Sequence, residues 1–150
     1  MSDERGVSAA RTVLRGSCHC GALRIELETA RAPEALSLRE CQCTFCRKHG
    51  SRNTSDPDGR TRIVAERGAL VRYRFGLRTA DFFLCARCGI YVACVLDDAF
   101  SSINTRVLDE ADAARLSQTA QPMDFGGEDV AGRVDRRRQK WTPTTVEERS

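Results

Sequence analysis

Along the chain, Leu23, Ile25 and Leu27 alternate with Arg24, Glu26 and Glu28. That period of two marks a strand with one buried and one wet face. A looser alternation over residues 69–75 sets Leu70, Arg72 and Arg74 against Val71, Tyr73 and Phe75. Residues 82–84 and 90–96 are short β-prone runs on either side of a C-x-x-C turn, and they also predict strands. On this pattern Cys94 shares a strand face with Val92 and Leu96, which predicts a buried apolar thiol rather than a ligand. Residues 51–62 are rich in Ser, Asp, Gly and Arg around Asp56-Pro57-Asp58-Gly59 and predict a loop with turn chemistry rather than core chemistry. Helix signals are few. Residues 46–49 predict a short turn, and residues 109–116 about two turns with Asp109 as N-cap. The expected fold is mainly β.

Length and composition narrow the picture without changing it. A chain of 150 residues with 41% hydrophobic and 30% charged positions has the balance of one globular domain. The predicted organisation is a flexible N-terminus over 1–14, a zinc-binding domain over 15–125, and a basic C-terminal tail over 126–150. That tail carries Arg133, Arg136, Arg137, Arg138 and Lys140, and it is expected to be solvated and docked through the single tryptophan, Trp141. A net charge of +3 with dispersed basic residues gives no reason to invoke nucleic acid or a membrane. The first fifteen residues lack the apolar run of a signal peptide, and no stretch approaches the roughly 20 apolar residues of a membrane span. A cytoplasmic location is therefore expected, where thiols stay reduced.

Eight cysteines in such a setting argue for metal rather than disulfides. They fall as Cys18-x-Cys20, Cys41-x-Cys43-x-x-Cys46 and Cys85-x-x-Cys88-Gly89, with Cys94 apart. Soft thiolates select zinc, and a structural zinc takes four ligands. Cys18, Cys20, Cys85 and Cys88 add to four and would clip two distant segments together. Cys41, Cys43 and Cys46 make three, which leaves a fourth position for a substrate. Two zinc ions per chain are expected. Three thiolates leave a zinc centre negative, which disfavours hydrolysis and favours a further sulfur ligand. His49, three residues after Cys46, is open to two readings: it closes a Cys₃His site, or it stands beside an open one as a proton-handling group. His19, between two ligands on a tight turn, is expected to project away from the metal.

These residues resemble the glutathione-dependent formaldehyde-activating enzyme family, whose zinc fold also occurs in Mss4-like proteins and the centromere protein V group. The matching elements are Gly16-Ser17-Cys18-His19-Cys20-Gly21-Ala22-Leu23, Cys41-Gln42-Cys43-Thr44-Phe45-Cys46-Arg47, Gly50, Phe83-Leu84-Cys85-Ala86-Arg87-Cys88-Gly89, and Asn104 before Leu108-Asp109. The resemblance implies Mss4-like antiparallel sheets pinned by zinc with few short helices. It also implies a carbon–sulfur lyase activity, the addition of the thiol of glutathione to formaldehyde or a related aldehyde to give S-(hydroxymethyl)glutathione. The polar segment 51–56 departs from the apolar and aromatic residues that many relatives carry after the cysteine triplet. A second reading is a zinc-stabilised binding module without catalysis, which contacts a macromolecule through the basic tail or a sheet face.

Overall fold

A computed structural model describes residues 11–150. The first ten positions of the expected flexible segment lie outside the described residues. Positions 12–14 belong instead to strand β1 (Thr12–Ser17), which pairs antiparallel with β2 (Leu23–Thr29). As the alternation predicts, β2 buries Leu23, Ile25, Leu27 and Thr29 on one face. The chain continues through β3 (Arg39–Cys41), helix α1 (Thr44–His49), β4 (Asn53–Thr54), β5 (Arg60–Ala65), β6 (Leu70–Tyr73) and β7 (Asp81–Cys85). It ends with β8 (Tyr91–Leu96), β9 (Phe100–Asn104), helix α2 (Glu110–Ala113), β10 (Gln121–Met123), helix α3 (Val130–Lys140) and β11 (Thr142–Glu148). The fold is mainly β with short helices.

The eleven strands join through one pivot. One wing runs β1-β2-β5, the other carries β6-β7-β8-β9 with β4, β3 and β10, and β11 touches both. Its start pairs antiparallel with β9 at Thr142 and Pro143, and its remainder pairs parallel with β5 from Thr144 to Glu148. The β10–β3 pair is parallel as well. Most strand pairs are antiparallel, as the resemblance implies, and these two parallel pairs make the sheet mixed, because the last segment returns to a strand far away in sequence and no short turn dictates its direction.

Two apolar clusters flank β8. Leu14, Leu23, Ile25, Leu27, Ile63, Phe83, Val92 and Val95 form the larger one. Cys46, Phe82, Tyr91, Cys94, Leu96 and Trp141 form the smaller one. Cys94 is buried, as expected, but on the opposite side from Val92. Between β7 and β8 the register runs Phe83 with Ala93 and then Leu84 with Tyr91, so Val92 is an extra residue. Such a bulge resets the alternation. It turns Tyr91 to the same side as Cys94.

Two further expectations are corrected. The segment predicted as a loop over 51–62 is largely core. Ser51, Asn53, Thr54, Ser55 and Asp56 are buried, β4 lies within the segment, and β5 begins at Arg60. Burial is tolerated because most of the polar groups are paired, Asn53 Oδ1 being the exception. Asp56 accepts from Thr29 Oγ1 at 2.6 Å and from Asp58 N at 2.9 Å, and its own N–H donates to Thr142 Oγ1 at 2.8 Å. Only residues 57–59 keep the turn role, closed by Gly59 N to Asp56 O at 3.0 Å. The helix expected over 109–116 is reduced to α2, and the Asp109 side chain makes no capping bond.

The basic tail is likewise no tail. Trp141 docks as expected, being buried, but residues 130–148 are a helix and an integral strand. Asp129 caps α3 by accepting from Gly132 N at 2.7 Å. Arg133 and Arg136 both pair with Glu128, and Arg138 pairs with Asp97. The arginine run is engaged inside the molecule.

Candidate metal centres

Four sulfurs converge where the β1–β2 turn meets the β7–β8 turn. The Sγ atoms of Cys18, Cys20, Cys85 and Cys88 all lie within 4.8 Å of one another. Cys18 to Cys20 is 3.7 Å and Cys20 to Cys85 is 3.6 Å, with no disulfide among them. A tetrahedral ion with bonds of about 2.3 Å to sulfur has S–S edges of about 3.8 Å, so the donor set fits a four-coordinate thiophilic metal. Backbone N–H groups support the sulfurs. Leu23 donates to Cys18 at 3.2 Å, while Arg87 and Cys88 donate to Cys85 at 3.3 and 3.4 Å. The second turn closes through Gly89, whose φ of +81° is open to glycine and strained for other residues. Gly16, beside the first turn, is needed for another reason: a Cβ there would meet Val107 O at 2.2 Å, where the backbone crosses Leu108.

Charge alone would divide these thiols. Burial pushes Cys18 up to about 12. Burial also opposes ionisation of Cys88, but hydrogen bonds from the Cys20 and Ile90 backbone and from the Cys85 and Cys18 thiols outweigh it and bring Cys88 down to about 6. A dication at the centre would let all four ionise together. His19 is exposed and outside the group, as expected from its place between two ligands.

The second group stands where β3 runs into α1. The sulfurs of Cys41, Cys43 and Cys46 also lie within 4.8 Å of one another. Cys43 is the N-cap of α1, and its Sγ accepts from Cys46 N at 3.4 Å. Hydrogen bonds from Cys41 and then Cys46 draw the Cys43 thiol down to about 2, and the same contacts push its two partners up. Three donors are on hand, and among the described residues no fourth His, Cys, Asp or Glu joins them. His49 stays out. Its ring is exposed and lies tilted, with its centroid 4.4 Å from that of Phe45 and 5.6 Å from that of Tyr91, within an aromatic group that also holds Tyr73, Phe75 and Phe82.

What lies beyond the triad is a cavity. Cys41 and Cys43 line a chamber of about 130 Å³ together with Phe75, Phe82, Phe125, Arg136 and Arg137. An adjoining chamber of about 50 Å³ adds Arg39, Asn53, Tyr91 and Trp141. Arg39 Nη2 donates to Ser55 Oγ at 2.8 Å and Ser102 Oγ at 3.2 Å. Arg137 is buried, with Nη1 on Thr79 Oγ1 at 2.7 Å and its guanidinium 4.7 Å from the Trp141 ring.

The model of the family described as glutathione-dependent formaldehyde-activating enzyme matches residues 13–122. The chain belongs to that family. A solved crystal structure of a Rhodobacter sphaeroides protein is similar at 29% identity and a TM-score of 0.53, over 73% of this chain and 99% of that one. Both cysteine groups of this glutathione-dependent formaldehyde-activating enzyme family member fall inside the matched region. Phe125, Arg136, Arg137 and Trp141 fall beyond it, so one wall of the cavity comes from residues that the family match does not cover. No helix among the described residues is long and apolar enough to cross a membrane.

Sequence reasoning finds both cysteine groups and misses the cavity's polar wall. Arg39 stands in a plain three-residue strand, and Arg136 and Arg137 stand in what reads as a solvated charge run. The one local signal is the departure at residues 51–56. Their polarity serves Asn53, on the cavity wall, and Ser55, which holds Arg39.

Proposed function

We propose that this protein is a zinc enzyme of the carbon–sulfur lyase type, acting in the cytoplasm on a small thiol such as glutathione and an aldehyde such as formaldehyde. Two zinc ions per chain complete it. Cys18, Cys20, Cys85 and Cys88 hold a structural ion, and Cys41, Cys43 and Cys46 hold the one that meets substrate. The observation that carries this reading is the contrast in surroundings: the three-sulfur group lacks a fourth protein donor among the described residues and lines a cavity.

In the reaction the substrate's S–H gives up its proton and a new S–C bond forms to the aldehyde carbon. The C=O π bond breaks, and its oxygen takes the proton, leaving a hydroxymethyl thioether. A zinc ion on the triad supplies a soft electrophile that favours thiolate over thiol. The three cysteines orient the sulfur toward the cavity mouth, and the aromatic residues Phe75 and Phe82 exclude water from one side. His49, one helical turn after Cys46, lies outside the lining of both chambers, and the proton passing from thiol to new alkoxide is assigned to it as the histidine next to the triad in sequence. The binding-module alternative is less favoured, since Arg133, Arg136 and Arg138 of the basic run pair with Glu128 and Asp97 of this chain.

Calorimetry tests the reading. Glutathione should bind the zinc-loaded protein with release of a proton, and S-methylglutathione should bind at least about tenfold more weakly, because a thioether has no proton to lose and is a poorer donor. Equal affinities without proton release would overturn the open-site mechanism.

A further inference from the structure

The cavity beside the triad has more positive charge than the protein itself balances. Arg39, Arg133, Arg136 and Arg137 face it or its rim, against two carboxylates, Asp124 and Glu128. Asp124 is exposed and occupied by Gly126 N at 2.8 Å. Glu128 is held by Arg133 and Arg136 together. Three thiolates around a dication contribute one further negative charge, so one cation is left over. That excess falls on the two guanidiniums with no carboxylate partner among the described residues.

Arg137 is 8% exposed, makes one hydrogen bond, to Thr79, and leaves its Nε with no acceptor. Arg39 is bonded only to two hydroxyls. Burial costs Arg137, which lowers its affinity for the proton. A buried cation without a counter-ion is expensive to keep, and the usual resolution is an anion in the adjoining space.

Building on the proposed function, we infer that the thiol substrate carries a carboxylate close to its sulfur, with Arg137 and Arg39 holding the carboxylate while the sulfur faces Cys41 and Cys43. The substrate class is a small mercapto acid. Size agrees: about 130 Å³ is well under the roughly 300 Å³ at which pockets begin to enclose drug-sized ligands. Because Arg137 and its support Trp141 lie beyond the family match at residue 122, this preference belongs to the present chain's own C-terminal wall.

The test is a calorimetric comparison on the zinc-loaded protein of 3-mercaptopropionate, its neutral methyl ester, and glutathione. The acid should bind about tenfold or more tightly than the ester, the ratio that one desolvated charge-assisted hydrogen-bonded pair supports. In Arg137→Gln the ratio should fall to about twofold with the ester's affinity unchanged, and Arg39→Gln should narrow it similarly while keeping a donor for Ser55. The wild-type comparison stands even if one variant fails to fold. Equal binding of acid and ester, or a ratio that survives both substitutions, would overturn the inference and leave the proposed function intact. Glutathione binding without 3-mercaptopropionate would do the same. Failure of all three thiols to bind would overturn the proposed function, and the inference with it.

Discussion

The two cysteine groups use the same donor atom at the same spread, and what surrounds them separates their roles. Cys18, Cys20, Cys85 and Cys88 come from two turns 65 residues apart at Cys20 and Cys85, so a metal there ties the β1–β2 hairpin to the β7–β8 hairpin. Cys41, Cys43 and Cys46 come from six consecutive positions around one strand end and one helix cap. A metal there closes almost no chain, and its free side faces a cavity. Linking distant segments gives a cross-link its largest effect on the unfolded ensemble, whereas a local cluster has little chain entropy to remove. Number of ligands and position in the chain therefore agree with the proposed division, in which a metal at the first group would stabilise and one at the second would be presented to substrate.

Substituting one cysteine from each group should break the comparison most visibly. Cys85→Ser should lower thermal stability by several kcal/mol or leave the domain unfolded, since a buried ligand and a long-range tie are lost together. Cys43→Ser should keep the fold with little loss of stability, since serine is itself a favoured helix N-cap, and abolish thiol binding. Melting curves alongside calorimetry decide this, and equal losses of stability would make the triad structural too. Metal removal sharpens the contrast. Elemental analysis during mild chelation should show one zinc per chain leaving well before the other, because four thiolates outbind three, and the melting temperature should fall mainly with the second.

A third effect is smaller and separates Cys94 from both groups. Cys94→Ala should cost about 1 to 2 kcal/mol through a lost buried sulfur and leave the zinc content unchanged, as judged by denaturant titration and elemental analysis. Burial raises this thiol to about 12, so it stays protonated and unreactive at neutral pH.

The cysteine groups are legible in the sequence because each pair or triplet within them is local. A C-x-C or C-x-x-C pair with its glycine specifies a turn, and the turn aims two sulfurs together whatever the rest of the chain does. The strand β2 is legible for the same reason, since its alternation is self-contained. What is not legible depends on distant partners. The bulge at Val92 reverses the face on which Cys94 packs, and no residue near it announces the extra position. The segment 51–56 reads as turn because its residues are polar, yet Asp56 finds partners in β2 and β11, and the Thr54 and Ser55 hydroxyls donate to Ser37 O and Lys140 O. Helix α3 reads as a solvated run because, apart from Val130, Ala131 and Val134, it offers no apolar stripe. Its Asp129 cap was the available clue. The cavity wall, made by α3 and Trp141 against β3, could be assembled only in three dimensions.

The smallest expected effect concerns that wall. Glu128 holds Arg133 and Arg136 in place, with contacts of 3.2 and 2.7 Å, and Arg136 lies 3.7 Å over the Phe125 ring. The hydrogen bond from Arg136 is the main cause that holds the Glu128 carboxyl below its ordinary range, against the opposing effect of burial. A carboxylate depressed in the folded state adds stability above its unfolded pKa, near 4.3, and loses it as pH falls through the folded value. Glu128→Gln should therefore cost about 1 kcal/mol at neutral pH, the upper range for partly exposed ion pairs. The difference from the parent protein should shrink as the medium is acidified below about pH 4 and vanish once the Glu128 carboxyl is protonated in the folded as well as the unfolded state. Urea titrations at a series of pH values read this directly. A cost that stayed constant into acid would mean that Glu128 acts through packing rather than charge. The four-sulfur clip, far along the sheet from α3, should feel none of it: zinc retention there should be the same in Glu128→Gln as in the parent, while mercapto-acid affinity at the triad cavity changes as Arg136 is released.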